Sequence, residues 1–208
     1  MHGQYMRGGI RKLVGGAALS AAFFASSMAL ADPNTHDGFY LQLNAGLGYL
    51  NTSAEAGGVE ATYSGVTLAS ALNIGGSLAP GFVLAGTILT DYAPSPGASF
   101  NGQDLDTGDL SLSLIGFGLL ADFYPDPAEG LHFQAAAGWG GLDASVNGNS
   151  SGSDPTGLLL SVGAGYEFWV AREWSIGPMA RFIYAPLSRN DVSFNTIAPA
   201  LLASFTYH

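Results

Sequence analysis

The segment Trp174 to Ala185 alternates so regularly that it can only be read as one strand of a two-sided wall. Trp174, Ile176, Pro178, Ala180, Phe182 and Tyr184 fall on one side, and Ser175, Gly177, Met179, Arg181 and Ile183 on the other. Successive strand residues point to opposite faces. The larger apolar groups therefore share a face, and the one charge, Arg181, lies on the opposite face.

Composition says what the greasy face meets. Of 208 residues, 48% are hydrophobic and 11% charged, where a soluble domain carries about 25% charged residues. Beyond the first thirty residues no apolar run reaches the ~20 residues that a membrane helix needs. A membrane-compatible chain without such helices is left with the closed barrel, the other structure that satisfies its backbone in lipid.

The N-terminus reads as an export leader. Arg7, Arg11 and Lys12 precede the apolar stretch Leu13 to Leu30, and Ala29-Leu30-Ala31 fits a small-residue cleavage site before Asp32. We expect a signal peptide over residues 1–31 and one barrel domain over 32–208. After cleavage three basic residues (Arg172, Arg181 and Arg189) face all sixteen acids, for a net charge of −13. That balance argues against nucleic acid as a partner, which requires basic patches. The absence of Cys excludes a disulfide scaffold.

Eight alternating segments follow one another: Gly38–Leu50, Gly65–Leu78, Phe82–Tyr92, Asp109–Phe123, Leu131–Ala144, Gly157–Val170, the Trp174 segment, and Asn195–Tyr207. In the fourth, Leu110, Leu112 and Leu114 read outward until Ile115, Phe117 and Leu119 take over. This predicts a bulge near Leu114–Ile115, unless inward leucines fill the interior. Short turns near Pro80, Pro127 and Arg172 alternate with four longer polar connections, Asn51–Ser64, Ala93–Gly108, Ser145–Thr156 and Pro186–Phe194. Short turns on the periplasmic side and long loops outside are the pattern of outer-membrane barrels. Phe39, Phe82, Phe133, Phe168 and Trp174 at one end, with Tyr49, Tyr92 and Tyr184 at the other, supply the two aromatic girdles. The expected fold is an all-β, eight-stranded, antiparallel up-and-down transmembrane β-barrel.

The opening GFYLQLNAGLGYL, the central SLIGFGLLADFYPDP and LHFQAAAGWG, the LLLSVGAGYEFWV segment and the closing ALLASFTYH resemble the small Gram-negative outer-membrane barrels, the OmpX/Ail-like, OmpW-like and OmpA-barrel families. The resemblance covers Gly38 to His208. It implies residence in the outer membrane, contact with its lipid and lipopolysaccharide, and insertion by the barrel assembly machinery. His208 is the final residue and Tyr207 the penultimate one, a departure from the aromatic ending of the usual insertion signal.

Arg181 facing lipid at mid-depth would cost about 2–4 kcal/mol, which places it in the lumen. Glu167, on the preceding strand, is its expected partner, with Asp91 or Asp122 contributing; the resulting ion pair would plug a barrel just wide enough for side chains to fill. Asp104, Asp106 and Asp109 form an acidic loop with weak divalent-cation potential, but their spacing departs from the EF-hand pattern. His36, His132 and His208 have no Ser in a nucleophile setting, so no enzyme activity and no cofactor are expected. The sequence thus suggests a monomer with a structural or surface-interaction role through acidic outer loops. A narrow passive channel for small or apolar solutes is the main rival, and a lipid A-modifying enzyme the lesser one.

Overall fold

The computed structural model describes residues 34–56, 59–105, 108–146, 149–150 and 154–208; the expected leader, residues 1–31, lies outside them. Among the described residues, twelve strands form a single sheet: β1 (Phe39–Ala56), β2 (Val59–Ala79), β3 (Phe82–Ala93), β4 (Gly97–Phe100), β5 (Gln103–Leu105), β6 (Leu110–Phe123), β7 (Leu131–Val146), β8 (Asn149–Ser150), β9 (Thr156–Tyr166), β10 (Phe168–Trp169), β11 (Trp174–Arg189) and β12 (Val192–Tyr207). Eight of them make the wall, in the order β1-β2-β3-β6-β7-β9-β11-β12. β1 pairs antiparallel with both β2 and β12, so the wall closes on itself. Closure removes the free edges that hydrocarbon forbids.

Alternation is what sorts the two faces. On β3 the odd positions Val83, Ala85, Thr87, Leu89, Asp91 and Ala93 are buried, and the even positions from Phe82 to Tyr92 lie outward, most of them exposed. Val66, Leu68, Phe117, Leu119, Val162 and Leu201 join them on an apolar outer surface. The expected end girdles are visible in the exposed rings of Phe82, Phe133 and Phe168 below and Tyr49, Tyr92 and Tyr184 above.

Two expectations need correcting. β6 has no bulge at Leu114–Ile115: its pairing with β3 and with β7 runs unbroken from one end to the other. Leu112 and Leu114 are buried in the lumen. The outer half of the lumen is apolar, so leucine fits the inward parity there and no phase slip is required. The register shift on β2 and β3 falls instead between Ser77 and Ala79, beside the Pro80-Gly81 turn.

The second correction concerns the outer connections. Most of Asn51–Ser64 and Pro186–Phe194 is strand: the β1–β2 ladder continues to Ala56↔Val59, and the β11–β12 ladder to Arg189↔Val192. β4 and β5 form a further small hairpin against β2 within the second connection. Above the bilayer a strand needs only its backbone ladder, so Ser and Thr extend it without an apolar face. Asn190 closes the last hairpin at φ 52°, the left-handed conformation such two-residue turns demand. The outer surface is thus built of projecting hairpins more than of irregular loops.

Candidate functional site in the lumen

Three storeys of side chains occupy the interior. The outermost is apolar: Leu50, Leu89, Leu112, Leu114, Leu142, Leu159, Ile183 and Leu187 form one buried cluster, with Tyr63 and Phe194 against it. Each comes from the inward parity of its strand, and together they represent six of the eight wall strands; β12 adds Ala198 and β2 the partly buried Tyr63.

Below lies the charged storey. Arg181 donates from Nη2 to Asp91 Oδ2 at 2.5 Å and from Nη1 to the carbonyl of Ser70 at 3.1 Å. Thr67 donates its hydroxyl to Asp91 at 3.3 Å. Both side chains of the pair are at most 3% exposed. β3 and β11 lie four strands apart on either side of the ring, so the Arg181–Asp91 bridge crosses the lumen from wall to wall.

Arg181 does not pair with Glu167. β11 aligns Arg181 with Gly163 and Met179 with Gly165, while Glu167 lies beside Gly177. Four residues of strand separate the two levels, about 13 Å at the usual rise. Parity put both groups in the lumen, and register put them at different depths. Asp91, an expected contributor, is the partner.

The periplasmic floor is polar and densely bonded. Glu167 Oε1 accepts from Thr206 at 2.5 Å and from Gln42 at 3.1 Å; Oε2 accepts from Ser175 at 2.6 Å and from Tyr124 at 3.5 Å. Asp122 accepts from Tyr40 at 2.9 Å and from Gln134 at 2.8 Å, and meets His132 Nδ1 at 3.0 Å. Room for the His132 ring comes from Gly165, where a Cβ would lie 2.3 Å from its Nε2. Among the described residues Ser175 bonds to a carboxylate and to no imidazole, whereas a nucleophilic Ser is paired with a general base.

The floor is finished by a strap that precedes β1. Asn34 N–H donates to Arg172 O, His36 N–H to Pro127 O, and Gly81 N–H to His36 O. The strap therefore touches all three periplasmic turns. Its His36 ring stacks on Tyr124 with centroids 3.6 Å apart and lies 4.6 Å from that of Trp169. Its Nδ1 meets His208 Nε2 at 2.8 Å. Burial, with the His208 ring beside it, pushes His36 down to about 3. The imidazole is accordingly neutral near pH 7.

Sequence reasoning weighed His36, His132 and His208 as catalytic candidates but did not gather them with one another or with Glu167. The inward parity of Tyr40, Gln42, His132, Gln134 and Glu167 was the available signal. In the acidic loop, Asp104 sits on β5 opposite Ser99 and Asp109 is exposed; Asp106 lies outside the described residues. Among the described residues, one group of three potential metal ligands converges, and it is His36, Glu167 and His208.

A closed eight-stranded wall with an apolar exterior, girdled by aromatic rings and filled by side chains, defines a small outer-membrane β-barrel. Solved structures share the architecture. Neisserial surface protein A is 17% identical, with a TM-score of 0.52 over 81% of this chain and 96% of its own. The outer membrane protein OprG of Pseudomonas aeruginosa is 11% identical, with a TM-score of 0.55 over 85% of this chain and all of its own. The autotransporter β-domain family matches residues 95–204, more than half of the sequence, and the chain belongs to that family. No curated protein matches it.

Proposed function

We propose that the protein is exported by a leader over residues 1–31 and serves as a non-conducting, non-enzymatic monomer whose acidic outer hairpins are its interaction surface. The filled lumen is the observation that carries this reading: an apolar layer, a transverse ion pair and a hydrogen-bonded floor lie in series along one narrow bore. An eight-stranded barrel has room for side chains and little else. Exposed carboxylates at Glu55, Asp104, Asp109, Asp154 and Asp191 give the rim its charge. Such a rim suits bridging by divalent cations to lipopolysaccharide phosphates.

Planar-bilayer recording tests the reading. The purified barrel is expected to stay silent under applied voltage; reproducible openings would favour a narrow channel for small or apolar solutes. Replacing Asp104, Asp109 and Asp191 by Asn is expected to weaken Ca²⁺-dependent binding to lipopolysaccharide vesicles. An altered lipid A mass upon expression would instead identify an enzyme.

A further inference from the structure

Glu167 is a buried carboxylate whose only ion-pair partner among the described residues is a histidine, His208, at 3.8 Å. A buried charge is expected to be paired or to coordinate a metal. His208 Nε2 is at the same time turned toward His36 Nδ1. Three ligand atoms from three separate stretches of chain thus converge, all within 4.8 Å of one another and all in buried residues.

We propose that His36, His208 and Glu167 form a binding site for one divalent transition-metal ion of the Zn²⁺ class at the periplasmic floor of the barrel. Two imidazoles and a carboxylate are a known zinc ligand set, and nitrogen donors disfavour Ca²⁺ and Mg²⁺. Tetrahedral bonds of about 2.0–2.2 Å set neighbouring ligand atoms about 3.3–3.6 Å apart. The nitrogens at 2.8 Å open by about half an ångström, and the His208–Glu167 pair at 3.8 Å closes by a few tenths. Side-chain rotation supplies both movements.

His36 Nδ1 and His208 Nε2 face each other, so a metal held between them would leave the proton of each ring on its far nitrogen, His36 Nε2 and His208 Nδ1. Ser175, Thr206 and Gln42, which donate to Glu167, would orient the carboxylate as second-layer partners of metal ligands do. Trp169, partly exposed, covers both rings from the periplasmic side and is the natural point of entry.

Bound there, the ion would staple the strap before β1 to the residue after β12, across the closing seam of the barrel. The test uses tag-free protein, folded in detergent and stripped with a chelator, then titrated with Zn²⁺ and separately with Co²⁺. One equivalent of Zn²⁺ per chain and a tetrahedral Co²⁺ absorption band are expected, with a higher unfolding temperature in the zinc form. His36→Gln and His208→Gln are expected to weaken binding at least tenfold, whereas Asn190→Gly, in the outer hairpin turn, leaves it unchanged. Circular dichroism verifies that each variant is folded. Failure of the folded wild-type protein to take up a stoichiometric ion overturns the proposal without recourse to any variant. Undiminished binding in the folded double variant lacking both histidines overturns it as well.

Discussion

Replacing Asp91 by Ala removes the only charged partner, among the described residues, of a guanidinium that spans the lumen. Arg181 is 5% exposed, so water cannot take over the role of the lost carboxylate. Its Nη1 keeps the Ser70 carbonyl at 3.1 Å, and its Nε already has no partner. Breaking a buried pair from one side costs about 3–5 kcal/mol, because the remaining charge is stranded. Since 1.4 kcal/mol is a factor of ten, the folded-to-unfolded ratio should fall by roughly two to four powers of ten. Replacing both partners, as in Asp91→Ala with Arg181→Met, leaves no stranded charge and should recover most of the loss. The assay is reversible urea unfolding from lipid vesicles, followed by tryptophan fluorescence across the complete double-mutant cycle. A cost below about 1 kcal/mol for Asp91→Ala, or additive single effects, would refute the reasoning about charge burial. Glu167→Gln as the stronger partner of Arg181 in the same cycle would refute the assignment of the pair.

Leu114→Ala should destabilise the barrel by about 2–5 kcal/mol through a lumenal cavity, measured by the same unfolding assay. With cysteine placed at 114 and at 115, a lipid-phase spin probe should reach only the second. Gly165→Val drives a side chain into the His132 ring and should cost about 1–3 kcal/mol, with His132 imidazole resonances displaced by NMR. Asn190→Gly should be tolerated, whereas Asn190→Val should cost about 1–2 kcal/mol because a β-branched residue resists positive φ.

Much of the outer surface was legible in the sequence. Parity alone identified Phe82, Phe133, Ile176, Phe182 and Tyr184 as lipid-facing, because a residue's face depends on nothing beyond its own strand. The interior was less legible, because contacts there join strands that face each other across the ring. Arg181 and Glu167 share a parity, yet strand register separates their depths, and Asp91 on the opposite wall becomes the partner. Leu112 and Leu114 misled for a related reason: hydrophobicity signals lipid only where the lumen is polar, and here its outer half is not. Ser- and Thr-rich stretches such as Asn51–Ser64 read as loops because they lack an apolar stripe, although ladder pairing outside the bilayer does not require one. The strap from Asn34 to Asp37 carried no periodic signal at all; its backbone bonds to the three turns fix its course.

The arrangement of the strap has a consequence for biogenesis. His36 and His208 flank the β1–β12 joint that closes the cylinder, and neither can find the other while β1 and β12 remain apart. The basal stopper is therefore a record of finished closure. A half-inserted intermediate would still be open from below, and a protease admitted to the periplasmic space would cut it at positions that the mature form keeps out of reach.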